Sequence, residues 1–419
     1  MKSAATIIVN ALVFDGTGAE PVQADVLVRE GRIAAVGGFL SRSDAADAQL
    51  VDGAGATLIP GLIDGHAHLG FGSTVEYTSD RQETEAERAL LVAHTGRVLL
   101  DSGFTSAYSG GNRLPQAEVA ARTAFARGWL PGPRLRAASW EGSAGLVEPG
   151  VYEFRGSAGR ASDPGSVVRF VDEMADLDVD IVKLTLTGES AVVAGTSRVV
   201  QFTDEEVAAA SAAASRRDIW LTAHAHSADA ITMAVRHGIR AIYHCTFPDD
   251  EALDLLTQAR DRVFVAPTPG IIYAHLIDPA FPPADPGEMR DAMESVKAVV
   301  PELKARGVRL VPGGDYGFSF NPVGKNARDL QLFVDWFGFT PAEALHCATA
   351  VGGELMGMGD ELGLIREGYL ADLLLVDGDP LEDISILQDT GRLAAIVSGG
   401  HFHKLAADRR TRPGVLAAR

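Results

Sequence analysis

Apolar and polar positions change rhythm twice along the chain. Near its start, the runs TIIVNALVFD, ADVLVREGRIAAVG and ATLIP alternate or are rich in β-branched residues, with glycine-containing turns between them. That is how half-buried strands read. The same texture returns near the end in ADLLLVDGDP and RLAAIVSGGHFHKL. Between these ends, short apolar segments alternate with alanine-rich amphipathic stretches, the signature of βα units around a parallel sheet. Eight segments read as strands: Leu58–His68, Phe104–Ser109, Arg134–Trp140, Asp180–Leu186, Ile219–His226, Ala241–Phe247, Val263–Thr268 and Val308–Asp315. Helix starts are marked by Thr203 with Glu206, and by Thr340 with Glu343 and Pro341, as capping boxes and a first-turn proline require. The pattern predicts an α/β chain with a closed (β/α)8 TIM barrel over residues 58–358. Residues 1–57 and 359–419 are expected to form a small composite β-sandwich. The longest irregular stretch, Glu141 to Gly165, follows the third strand, and a loop that long is expected to be functional.

Composition narrows the classes. With 419 residues and 46% hydrophobic content there is material for a large core. A net charge of -19 argues against nucleic acid or an anionic membrane as partner. Two cysteines, Cys245 and Cys347, exclude a disulfide scaffold and point to a reducing compartment. The first residues, MKSAATIIVNALVFDGTG, hold a short apolar run broken by Asn10 and Asp15 without a clear cleavage pattern, and no apolar run is long enough to span a bilayer. A cytoplasmic protein acting on a small molecule is the expectation.

The chemistry gathers at the strand ends, where a barrel of this kind places its active site. The first strand ends in His66 and His68. In a strand, residues i and i+2 share a face, so both imidazoles can converge on one metal ion. The fourth strand carries Lys183 in an apolar run, the fifth ends in His224 and His226, the sixth carries His244, and the eighth ends in Asp315. Each alone has a plainer reading: a lysine with a buried stem, a core histidine, a turn aspartate. Independent strand ends rarely all carry ligand types. His94, His237 and His346 fall on predicted helices, and His401 with His403 lies in the terminal β unit; these read as structural. Cys245 is expected to point away from His244.

At these residues the chain resembles the amidohydrolase superfamily over nearly its whole length. PGLIDGHAHLG is similar to the first-strand H-x-H motif, and ATAVGGELMGMGDELGLIREGYLADLLLVDGDPLEDI to the segment that leaves the barrel. PGPRLRAAS is similar to the branch of imidazolonepropionase-like proteins, Xaa-Pro dipeptidases and ochratoxin-type amidases. Two segments depart from that branch: GFTSAYSGG lacks an Arg-Asp pair and ASWEGSAG lacks a Gly-Gly-His, both on the substrate side.

The resemblance implies two divalent metal ions, zinc by default with manganese or cobalt as alternatives. His66, His68 and Asp315 would hold one ion and His224 and His244 the other, with Lys183 as a CO2-derived carbamate and a hydroxide bridging them. Asp315 would shuttle the proton, and His226 would support a ligand or donate to the substrate oxygen. The implied reaction is hydrolysis of an amide, carbamate or urea. Mononuclear deamination or cyclic-amide hydrolysis is the alternative, disfavoured because Ser227 stands three residues after His224 where such deaminases carry a glutamate. A metal-free scaffold is the remaining class. For a hydrophobic or aromatic substrate such as an N-acyl amino acid or dipeptide, the rim candidates are Trp140, Tyr152, Arg155, Tyr273, His275 and Phe318. Family relatives also make a homo-oligomer the expectation.

Overall fold

The computed structural model describes residues 5–38, 40, 48–73, 84–144, 152–153 (backbone only), 163–277 and 282–410. The chain is an α/β protein built on a (β/α)8 barrel. In order, the barrel strands are Leu62–Ala67, Phe104–Ser109, Arg134–Arg136 continued by Ala138–Ser143, Ile181–Thr185, Trp220–Ser227, Ala241–Phe247, Phe264–Ala266 and Arg309–Leu310. Successive strands pair in parallel. The ring closes where Gly65 N–H donates to Pro312 O, His68 N–H donates to Tyr316 O, and Ala67 forms a parallel bridge with Tyr316. The eighth strand is regular for only two residues because Pro312 offers no N–H to a ladder.

The expected first strand, Leu58–His68, divides at Gly61. Thr57–Pro60 pairs with Thr6–Val13 and Leu373–Val376 in a second, mixed sheet, and only Leu62–Ala67 enters the barrel. The switch is made by adjacent amides: Gly61 N–H donates to Asp372 O, and Leu62 N–H donates to Gly103 O. A Cβ on Gly61 would stand 2.1 Å from Thr105 Oγ1, so only glycine allows the close approach there. The mixed sheet has eight strands drawn from both ends of the chain, all hydrogen-bonded into one. The third barrel strand also departs from expectation. It breaks at Ala137 and runs on to Ser143, and Tyr152–Glu153 adds a further parallel strand along its edge.

Alternation sorts the barrel's side chains into two cores. Ile63, Tyr108, Ala138, Ile181, Tyr243 and Phe264 fill the interior, while Val182, Leu184, Ala223, Ala225 and Ile242 pack outward against the helices. Lys183 lies two residues beyond Ile181 and therefore also points inward, one layer nearer the strands' C-terminal end. The helices after Thr203 and Thr340 start with the expected capping boxes. No helix among the described residues is long and apolar enough to cross a membrane.

One buried acid ties the second strand to the third. Glu118 accepts from Ala138 N–H at 2.8 Å and from Ser109 O–H at 3.0 Å. Burial raises its pKa from 4.5 to about 7. Between these values the folded protein keeps a proton that the unfolded chain has released, so this group's contribution to stability falls as pH rises from about 4.5 to about 7. Glu118→Gln is expected to remove that slope. It should leave stability unchanged near pH 4.5 and gain on the order of 2–3 kcal/mol near pH 7. Thermal unfolding of both proteins across that window checks it; parallel pH profiles would refute it.

Candidate metal centre

The site occupies the C-terminal end of the barrel strands. His66 and His68 are each 1% exposed, and their Nε2 atoms stand 3.1 Å apart. Asp315 Oδ1 lies 2.9 Å from His68 Nε2 and 3.7 Å from His66 Nε2. His68 is oriented from behind by Gly111 O, which accepts from its Nδ1 at 2.9 Å. His66 is stacked on Tyr243 with ring centroids 3.6 Å apart. Asp315 takes a left-handed φ of +61° at the turn after the eighth strand, a conformation that costs a non-glycine residue and is retained at sites that need it.

Lys183 is 1% exposed. Its Nζ donates to Gly110 O at 2.9 Å, stands 3.5 Å from His66 Nε2 and 3.6 Å from Glu141 Oε1, and lies over the Tyr243 ring. Burial lowers its pKa. Burial and the nearby ammonium hold His66 well below the ordinary histidine range. His68 is different: burial pushes its pKa down, but the Asp315 carboxylate outweighs burial and raises it.

A second group of imidazoles lies beside the first. His224 and His226 are alternate residues of the fifth strand, with rings 4.6 Å apart, and His244 from the sixth lies 4.3 Å and 4.4 Å from them. His244 faces inward directly after inward-facing Tyr243, against strict alternation. The cause is local: His244 and Cys245 have φ of +69° and +51°, which turns the backbone and sends Cys245 into the outer core. Burial raises the Cys245 thiol to about 12, so it supplies no thiolate near neutral pH. His244 Nδ1 is hydrogen-bonded to Thr268 Oγ1, and His226 Nδ1 to Thr246 Oγ1, both at 2.7 Å. Burial and neighbouring His226 push His224 down to about 3, leaving it neutral and able to ligate.

Two atoms of the site test its fit to metal ions. His66 Nε2 and Asp315 Oδ1 each face His68 Nε2, at 3.1 Å and 2.9 Å, and with His68 Nδ1 committed to Gly111 O these acceptor-type atoms converge as they do around a cation. One ligand atom from each of His66, His244 and Asp315 lies within 4.8 Å of the others, as does one from each of Glu189, His224, His226 and His244. Clustered neutral imidazoles with carboxylates are the donor set of a divalent transition metal, and the residues fit such ions.

Seven residues singled out from the sequence thus meet here: His66, His68, Lys183, His224, His226, His244 and Asp315. Two more belong with them and were missed. Glu141 follows Trp140 on the third strand and stands 3.9 Å from His68 Nε2. Glu189, in the loop after the fourth strand, stands 3.1 Å from His226 Nε2. The rim candidates separate. Phe318 lies 5.2 Å from Phe71, 5.3 Å from Phe320 and 6.1 Å from His68, and His275 packs on Phe320, making an aromatic wall beside the histidines. Tyr273 instead packs near Trp336 under the Arg328 guanidinium. Trp140 turns aside and donates its indole N–H to Arg113 O, so its neighbour Glu141 is the residue that reaches the site. Arg155 and the Tyr152 side chain lie outside the described residues. His237, His346 and His403 are engaged elsewhere, with Asp204, Gly16 O and Asp101. Beyond His226 and His244 lies a small pocket lined mainly by apolar groups including Phe247, Ile271, Ile272 and Met289.

The Amidohydrolase family model matches residues 57–402. Ochratoxinase from Aspergillus niger is 27% identical over 435 residues, spanning 95% of this chain and 86% of that protein. Imidazolonepropionase from Shewanella woodyi is 23% identical, spanning 94% and 98%. Among solved structures, a Xaa-Pro dipeptidase with methionine bound in its active site superposes with a TM-score of 0.83 at 27% identity, covering 96% of this chain and all of that one.

Proposed function

Because this chain belongs to the amidohydrolase family, we propose that it is a binuclear metal-dependent hydrolase that cleaves a carbon–nitrogen bond in a small hydrophobic or aromatic substrate. The observation that carries this reading is the buried cluster of His66, His68, Lys183, His224, His244 and Asp315 at one end of the barrel. In it, His66, His68 and Asp315 would hold one ion, His224 and His244 the other, and Lys183 would serve both as a carbamate. Zinc is the first expectation from the donor set, with manganese or cobalt as alternatives. Such ions make water nucleophilic at neutral pH and polarise a carbonyl.

The chain's own groups do the rest. Burial favours the neutral amine of Lys183, which is the form that adds CO2; the N–C bond forms as one C=O bond of CO2 opens, the amine proton leaves to solvent, and the resulting anion would suit a cationic site. The Asp315 carboxylate, held at the mouth by the turn at φ +61°, accepts the proton of the attacking water and returns it to the leaving nitrogen. Phe71, Phe318 and Phe320 form an apolar wall beside this carboxylate, and the pocket lined by Phe247, Ile271, Ile272 and Met289 lies on the opposite, His226 side. The aromatic wall suits a hydrophobic acyl or amine group, as in N-acyl amino acids and dipeptides.

Deamination is less well supported. Ser227 occupies the place a deaminase glutamate would take, and its hydroxyl caps the following helix by accepting from Ala230 N–H. The test is metal content per chain on protein purified without chelators, with a hydrolysis screen over N-acyl amino acids, hydrophobic dipeptides, aryl ureas and carbamates. Close to two divalent ions and turnover of one of these classes are expected. Absence of both metal and turnover would overturn the proposal.

A further inference from the structure

We propose that Glu189, His224, His226 and His244 form a four-ligand divalent-metal site that holds its ion without the carbamate of Lys183. The proposal refines the binuclear reading and rests on it for His224 and His244, but it gives His226 and Glu189 a new role as ligands.

Four features carry it. One ligand atom from each residue lies within 4.8 Å of the others, and the three histidines are 8%, 7% and 3% exposed. The Thr246 and Thr268 hydroxyls can accept from Nδ1–H of His226 and His244. That tautomer leaves each Nε2 lone pair free, as the outer partner of a metal-bound histidine does. Glu189 is held in the same manner: its Oε1 accepts from Ala191 N–H at 2.9 Å, while Oε2 faces His226 Nε2 at 3.1 Å. Two ligands of a tetrahedral ion at about 2.1 Å stand about 3.4 Å apart, close to that separation. Finally, Glu189, His226 and His244 line the same small pocket, which leaves room for an ion beside them. Lys183 sits on the other side, against Gly110, Glu141 and His66.

The site supplies three nitrogens and a carboxylate oxygen, enough to hold a divalent ion unaided, with the carbamate as a fifth ligand when it is present. The protein would then keep one ion when CO2 is absent or Lys183 is replaced, and lose only the ion at His66, His68 and Asp315.

The experiment is equilibrium dialysis of cobalt(II) into metal-stripped protein, read by elemental analysis and by cobalt absorption bands. Wild type is expected to bind close to two ions, Lys183→Ala close to one, and Lys183→Ala with Glu189→Ala at least about 10-fold more weakly. Glu189→Gln, which keeps hydrogen bonding but not the anionic ligand, should behave as Glu189→Ala in that background. Two ions in wild type and none in Lys183→Ala would overturn this inference while leaving the binuclear proposal standing. One ion in both, lost with Glu189→Ala, would support the inference and overturn the binuclear proposal. No ion in wild type overturns both. Unchanged affinity with Glu189→Gln would reduce Glu189 to positioning His226 and refute its role as ligand. If Lys183→Ala does not fold, Glu189→Ala alone decides: one of the two ions should leave faster to a chelator, and wild-type release of both would refute the site.

Discussion

Asp315→Asn is expected to lower kcat by at least about 10³-fold on any amide the protein hydrolyses, within the range that positioned acid–base groups contribute. Asparagine has nearly the same shape, so the left-handed turn at φ +61° should survive, and asparagine tolerates that region well. What disappears is the negative oxygen 2.9 Å from His68 Nε2 and with it the proton acceptor. KM should move much less than kcat, since the aromatic wall that would bind substrate is untouched. Steady-state kinetics on the best substrate of the screen check this. A variant with kcat within a few-fold of wild type would show that Asp315 neither carries the proton nor matters to the ions.

Gly110→Ala is the second large effect, and it follows from close packing rather than charge. A Cβ at Gly110 would stand 2.2 Å from His66 Cδ2, 2.6 Å from His66 Nε2 and 2.8 Å from His68 Nε2, distances that real side chains do not tolerate. The imidazoles must rotate away, so the first ion should be lost and hydrolysis with it. Overpacking of this kind also costs about 1–3 kcal/mol of stability. Gly96→Ala provides the control. Its Cβ would stand 2.6 Å from Phe125 Cζ, in the helical layer far along the chain from any ligand, so it should cost stability without changing metal content. Elemental analysis and thermal unfolding of both variants decide. Gly110→Ala with a full complement of metal would show that the two histidines do not hold an ion where they stand.

Legibility from the sequence followed the reach of local rules. His66 and His68 were readable because two-residue spacing on a strand has one geometric meaning. Lys183 stood out because an ammonium in an apolar run needs a partner or a function. Glu141 lay outside the spacing rule: alternation from inward-facing Ala138 turns Trp140 inward, and an irregularity in the pairing with the fourth strand, where Ile181 meets Ala138 but Lys183 meets Glu141, brings Glu141 round instead. Glu189 had no such signal, since a glutamate in a loop is ordinarily solvated. It is placed by the packing of the fourth strand's loop over the fifth, where its Oε2 comes to face His226 Nε2 at 3.1 Å.

By itself, then, the chain's pattern determined the alternation of strands and helices, the barrel, the pairing of the two chain ends in one β unit, and which residue types face the strands' C-terminal ends. These depend on periodicity and on side-chain chemistry, and both are written residue by residue. Tertiary structure alone decided three things. It split an apolar run at Gly61 between two sheets, because hydrogen-bond partners from distant segments set where one strand ends. It turned His244 inward beside Tyr243 through left-handed backbone angles, which neighbouring elements hold in place and no local pattern announces. It also assembled Glu141 and Glu189 around the histidines, since distances between strands and loops arise only when the barrel closes.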